Sequence, residues 1–177
     1  MANEKRMNMV ILGFLRHEPM TGYEIKKHID TSLKYFWSGS FGSIYPTLNA
    51  LEQEGLVTKQ EQEEGGRGKI TYSITEAGRK QLRDWLELPV KKDELHYETL
   101  LKLFFAGGLG KEGAVRHIQN FEDKISRELA FLEMCEKQLE SCTEEEDHIY
   151  FLLTVRFGIE TYRAYLKWCA QAKEYLS

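Results

Sequence analysis

The sequence predicts a mainly α-helical chain in two parts, and three observations carry that prediction. Residues 43–57 read as one short, capped helix. Residues 56–74 hold two alternating runs around a glycine-rich turn. Beyond residue 89 the apolar positions recur at helical spacing, with no strand-like segment. The first part is then three helices, a two-stranded hairpin and a fourth helix, and the second is all helical.

Residues 7–15 are apolar at helical spacing and form the first helix. Glu18-Pro19-Met20 reads as a turn, and Thr21 caps a second helix carrying Tyr23, Ile25 and Ile29. In the third helix Ser43 is the N-cap, Pro46 sits in the first turn where a missing N–H costs little, and Gly55 supplies a left-handed stop. Ile44, Leu48 and Leu51 share one face, which leaves Tyr45, Thr47, Asn49 and Gln53 to point elsewhere as an unusually polar outer surface.

Leu56-Val57-Thr58 begins the first strand, and Ile70-Thr71-Tyr72-Ser73-Ile74 alternates as the second. Between them Arg67 and Lys69 stand at a tip flanked by Gly65, Gly66 and Gly68, so two cations can project from a backbone able to lie close to another surface. Thr75-Glu76-Ala77-Gly78 then opens a fourth helix through Leu82, Trp85 and Leu86. This order is a winged helix-turn-helix, assigned to residues 1–88.

Residues 89–177 read as three helices. The first, residues 94–105, carries Leu95, Leu100, Leu101, Phe104 and Phe105 and stops at Gly107-Gly108-Leu109-Gly110. The second runs from residue 111 to about 141, with Ala114, Ile118, Phe121, Ile125, Leu129, Leu132, Cys135 and Leu139 at steps of three or four. Glu144-Glu145-Glu146-Asp147 interrupts the pattern and gives the last helix an acidic N-terminus, where negative charge is favourable. That helix repeats the stripe through Leu152, Val155, Ile159, Tyr162, Leu166, Cys169 and Leu176. Leu153, Phe157, Tyr165 and Trp168 are surplus apolar surface, which must meet the first half of the chain or a second copy. Periodicity leaves open whether the long stripes pack within or between chains.

Composition narrows the function classes. With 177 residues and 42% hydrophobic content the chain can bury a substantial core. No apolar run approaches the roughly 20 residues of a membrane span, and the N-terminus is charged, so a cytoplasmic protein without a membrane partner is expected. Cys135, Cys142 and Cys169 lack metal-ligand spacing, as do His96, His117 and His148, and neither metal nor cofactor is expected. The cysteines read as small apolar packing; a redox pair of Cys135 and Cys142, one heptad apart, is the rarer alternative. No phosphate-cradling loop or activated-nucleophile motif occurs, so no enzyme is expected.

The net charge is −4. Residues 1–88 carry 12 Lys/Arg against 12 Asp/Glu, whereas residues 89–177 carry 12 against 16, so the excess lies wholly in the second half. Attraction for a polyanion would rest on local placement of Lys26, Lys27, Lys34, Arg67 and Lys69.

Several blocks, in order, resemble the PadR-like transcriptional regulators of bacteria. They are Ile11-Leu12-Gly13-Phe14-Leu15, then Pro19 with Gly22-Tyr23-Glu24-Ile25, Phe36-Trp37, Ile44-Tyr45-Pro46-Thr47-Leu48 with Leu51-Glu52 and Gly55-Leu56-Val57. Tyr72-Ser73-Ile74-Thr75, Gly78 and Trp85-Leu86 continue the match. The second half is similar, by helical pattern, to the long C-terminal domain of the family's larger subgroup.

The resemblance implies a homodimeric, sequence-specific DNA-binding regulator, a repressor on a palindromic operator in double-stranded DNA, released by a small aromatic or hydrophobic effector. The alternative is a winged-helix protein–protein interaction module that does not bind DNA. On the first reading Ser43, Tyr45, Pro46, Thr47 and Asn49 face the major groove, with Asn49 suited to adenine. Arg67 and Lys69 rest on the backbone or minor groove, and Tyr23, Lys26 and Lys27 lie where the second helix crosses a phosphate strand. Each has a plainer role: Tyr45 as a support for the hairpin, Ser43, Thr47 and Asn49 as cap and solvated face, Arg67 and Lys69 as a solvated turn.

In the family the C-terminal helices make the dimer, which assigns Leu152, Val155, Ile159, Tyr162, Leu166 and Cys169 to that interface. Some members bind a small molecule near the domain junction, and phenolic acids are inducers of the founding member. Phe104, Phe105, Arg156, Arg163 and Trp168 are the candidate effector residues here. The plainer reading of this set is an aromatic core with arginines pairing to Glu160 or Glu128.

Overall fold

The structure is a computed structural model that describes residues 2–33, 44–62, 69–90, 97–108, 110–141 and 147–177. The chain divides into two compact units, residues 1–93 and 94–177.

In the first unit, α1 (Ala2–Leu15) is followed by a two-residue strand β1 (Met20–Thr21), by α2 (Gly22–His28) with a π-helical turn at Ile29–Leu33, and by α3 (Ile44–Gln53). The strands β2 (Val57–Gln62) and β3 (Lys69–Ile74) make the hairpin, and α4 (Glu76–Leu86) completes the unit. Three helices, a wing and a fourth helix follow in the expected order. The sheet has three strands rather than two: β1 pairs antiparallel with β3, Met20 opposite Tyr72 and Thr21 opposite Thr71. The expected turn at Met20 is instead extended because Thr21, as N-cap, takes β-region angles, φ −78° and ψ 160°.

Ile11, Leu12 and Leu15 of α1, Ile25 of α2, Ile44, Leu48 and Leu51 of α3, Val57, Tyr72 and Leu82 form one buried cluster. Each such side chain contributes roughly 1.5–3 kcal/mol by leaving water. Gly55 ends α3 at φ 70°, and the Leu56 N–H reaches back to the Leu51 carbonyl at 2.8 Å. That left-handed stop directs the chain from the buried face of α3 straight into β2.

The second unit holds α5 (Glu98–Phe104), a 3₁₀ turn (Ala106–Gly108), α6 (Gly110–Ser141) and α7 (His148–Leu176). The last two run antiparallel, as three cross-links show. Lys173 binds Glu122 at 2.5 Å, Arg163 binds Glu133 at 2.9 Å, and Arg156 spans Glu136 at 2.8 Å and Glu140 at 2.6 Å. All the cations are on α7 and all these carboxylates on α6, so a shift of register by one turn would break the ladder. Between the helices Ala114, Ile118, Ile125 and Leu132 are buried, as are Ile159, Tyr162 and Cys169. Among the described residues no helix is long and apolar enough to cross a membrane.

Candidate nucleic-acid interface

The outer face of α3 is set by what its inner face buries. With Ile44, Leu48 and Leu51 committed to the core, Tyr45 is left 59% exposed, and Pro46 and Asn49 are exposed beside it. Thr47 departs from expectation. It is only 6% exposed, because it lies three residues after Ile44 and four before Leu51 and so shares their stripe. Thr47 is therefore removed from the contact face and placed in the wall of the core.

The start of α2 adjoins this face. Tyr23, Lys26 and Lys27 are exposed, and no ion pair engages either lysine among the described residues, so both charges are available to a phosphate. The helix begins with a reciprocal cap. Glu24 N–H donates to Thr21 Oγ1 at 3.1 Å, while Glu24 Oε2 accepts from the Thr21 N–H at 2.7 Å and from its hydroxyl at 2.9 Å. These donors hold the Glu24 carboxyl below the ordinary glutamate range, the Thr21 N–H first, with Lys69 adding to the effect.

Lys69 is not in the hairpin tip but opens β3 opposite Gln62, and its ammonium lies 3.6 Å from Glu24 Oε1. The wing is thus tied to α2 twice, through β1 and through this pair. Lys59 on β2, opposite Tyr72, is a further wing cation, but Glu61 holds it at 2.6 Å. Two of the expected contact residues, Ser43 and Arg67, lie outside the described residues.

In the second unit the expected effector set does not assemble. Arg156 and Arg163 are taken up by Glu136, Glu140, Glu133 and Glu160, and these hydrogen bonds raise both guanidinium pKa values further above their usual level. Four carboxylates around two arginines leave little positive field for an anionic ligand. Trp168 lies edge-on to Phe121 of α6, whereas Phe104 and Phe105 meet each other edge-on and are 82% and 72% exposed. An open depression of about 480 Å³ beside α5 takes only Phe105 from the set; Leu101, Lys102, Ala106, Gly108 and His117 complete its lining.

An aromatic group missed in the sequence does form. Tyr97 and Tyr165 share a hydroxyl–hydroxyl hydrogen bond; Phe121 packs against both and Tyr162 against Tyr165, with Trp168 edge-on to Phe121. Burial first, and then the bond to Tyr165, push the Tyr97 hydroxyl well above the usual tyrosine range.

The expected dimer stripe packs in part against α6 of the same chain. Ile159 is 2% exposed, and Tyr162 and Cys169 are also buried, since these residues face α6 of the same chain. Leu152, Val155 and Leu166 are half-buried along its margins. On the opposite side of α7, Tyr150, Leu153, Phe157 and Tyr175 are exposed. These follow helical spacing about half a turn away from Ile159.

Comparison with known proteins agrees with this architecture. Residues 11–84 match the model of the transcriptional regulator PadR-like family, and residues 95–177 match a virulence activator alpha C-terminal model. A negative transcriptional regulator, PadR of Bacillus subtilis strain 168, is 27% identical over 170 residues, 92% of each chain. Its crystal structure with operator DNA superposes with TM-score 0.80 at 26% identity, covering 96% of this chain and 98% of that one. Its structure with p-coumaric acid superposes with TM-score 0.75 at 25% identity, over 96% and 98%. The PadR-like regulator BC1756 of Bacillus cereus has TM-score 0.81 at 29% identity, over 96% and 95%. With its winged first unit and its helical second unit each matched in place, and with relatives aligned along nearly its whole length, the chain belongs to the PadR-like family of transcriptional regulators.

Proposed function

We propose that this chain is a homodimeric repressor that reads a palindromic operator through α3 and is released by a small aromatic or hydrophobic effector. The observation that carries the reading is the outer face of α3. An exposed tyrosine and asparagine stand there with two unpaired lysines of α2 nearby, on a first unit that is neutral in sum. Asn49 supplies the donor and acceptor pair that adenine matches in the major groove, and Lys26, Lys27 and Lys69 supply phosphate contacts. The operator-DNA complex of the Bacillus subtilis relative supports the same use of the unit.

Two-fold pairing follows from the size of the footprint. One winged helix spans a few base pairs, and two of them on half-sites one helical turn apart multiply the discrimination. The second copy would cover the outer stripe of α7, Tyr150, Leu153, Phe157 and Tyr175, together with the exposed Leu100, Leu101 and Phe104 of α5 and Phe105 just after it. An effector acts by preferring the dimer whose two α3 helices are misplaced, lowering operator affinity by its differential affinity for the two forms. The p-coumaric acid complex of the same relative supports an aromatic acid as the first compound to try.

The test is titration of DNA from upstream of the chain's own gene, with protection mapping and a salt series, with and without p-coumaric acid. A protected palindrome whose affinity falls steeply with salt is expected. No protection at low salt by folded, dimeric protein would make the wing and α3 a docking surface for another protein.

A further inference from the structure

The backbone does not demand glycine at position 22. Gly22 is the first residue of α2, and positive φ occurs among the described residues only at Gly55 and Gly110. Alanine is the better helix former there. What excludes it is a neighbour: a Cβ at Gly22 would stand 2.6 Å from Cε1, 3.1 Å from Cζ and 3.3 Å from Cδ1 of Tyr45, with no other heavy atom so close. Gly22 is itself buried, while the ring that lies on it is more than half exposed. The glycine is therefore a seat for one side chain, and that side chain belongs to the first turn of α3.

We infer that Gly22 is a positioning residue for DNA recognition: it leaves room for the Tyr45 ring against the start of α2 and so fixes where the tyrosine hydroxyl is presented. The inference rests on the reading that Tyr45 touches the operator. It adds a link between the two helices of the motif. The Thr21–Glu24 cap sets the start of α2, the bare Cα at position 22 accepts the ring, and the ring's hydroxyl carries the orientation of both helices outward. Because the clashing atoms are the far part of a movable side chain and not backbone, an added methyl would displace the ring and leave the fold standing. A second position shows the contrast, since a Cβ at Gly78 would run into the backbone carbonyl oxygen of Leu56, which cannot swing aside.

The experiment is a double-substitution cycle on the full-length protein, with wild type, Gly22→Ala, Tyr45→Ala and the double variant compared for melting temperature and for operator affinity at one salt concentration. Gly22→Ala is expected to melt within a few degrees of wild type and to bind about five- to tenfold more weakly, the scale of one weakened polar contact in each protomer of the dimer. Tyr45→Ala should lose a similar factor, and adding Gly22→Ala to it should cost nothing more. If Tyr45→Ala binds as wild type, the contact reading fails and the inference with it. If Tyr45→Ala weakens binding but Gly22→Ala does not, the contact stands and the inference is overturned. It is overturned equally if Gly22→Ala weakens binding as much in the Tyr45→Ala background, or if it lowers the melting temperature by more than about 8 °C.

Discussion

The hydroxyl of Thr75 donates to the carbonyl of Gly55 at 2.8 Å, tying the residue that opens α4 to the residue that stops α3. The same oxygen accepts the Gly78 N–H at 3.1 Å, and the Thr75 N–H donates to the Leu56 carbonyl at 3.0 Å. The hydroxyl also lies 3.1 Å from the Leu56 carbonyl oxygen; Thr75→Val keeps the shape and loses every hydroxyl bond, so it should cost roughly 1–2 kcal/mol. Gly78→Ala forces a Cβ onto the Leu56 carbonyl and should cost more, about 1–3 kcal/mol or above from overpacking alone. Urea unfolding of the two variants checks both the size and the order.

Glu24 makes the stability of the first unit dependent on pH. Its carboxyl is held below the ordinary range by Thr21 and Lys69, so its contribution is fully present above the unfolded glutamate pKa and is lost as pH falls through the lowered folded value. The side chain is 43% exposed, so screening keeps the effect small. Wild type should exceed Glu24→Ala in melting temperature at neutral pH, and the gap should narrow steadily on acidification below the glutamate range. A gap that is constant down to strongly acidic pH would assign the cap no ionic component.

The two faces of α7 should respond differently. Ile159→Ala opens the seam against α6 and should destabilise the chain by about 2–5 kcal/mol. Phe157→Ser, at a position 69% exposed, should leave the unfolding of the isolated chain nearly unchanged and move the monomer–dimer equilibrium toward monomer. Sedimentation equilibrium together with denaturant unfolding separates the two effects.

Much of the first unit was legible because its signals are local. Thr21 and Thr75 announce helix starts within three residues, Gly55 announces a stop, and alternation marks both strands. Thr47 was misplaced because a list of polar residues on a helix ignores that i+3 from Ile44 and i−4 from Leu51 coincide. β1 was invisible because two residues carry no period, and only Tyr72, some 50 positions later, gives Met20 a strand partner. In the second unit periodicity revealed that the long helices have apolar stripes, but not which stripe meets which. Arg163 pairs with Glu133, 30 positions away, and that distance has no sequence signature. For the same reason the sequence does not show that Arg156 and Arg163 pair with carboxylates or that Ile159 is buried. The sequence shows Gly22 only as part of a motif, since its steric role depends on the position of Tyr45.

Lys26 and Lys27 should act on affinity without acting on sequence preference. Replacing either with alanine removes one phosphate contact from each protomer of the dimer, so the slope of log affinity against log salt should fall by about 2 in each variant, and by about 4 in the double variant. Binding to operator and to unrelated DNA should weaken in parallel, as a competition titration at several salt concentrations would show.

The most direct measurement compares wild type with a Tyr45→Ala/Asn49→Ala variant, which strips the outer face of α3 and leaves Ile44, Thr47, Leu48 and Leu51 in place. The melting temperature should be unchanged within a few degrees. Affinity for the operator should fall by well over tenfold, consistent with about 1–3 kcal/mol for a lost bidentate base contact, while binding to unrelated DNA persists. A folded double variant that protects the same palindrome with wild-type affinity would contradict the assignment of α3 as the reading helix.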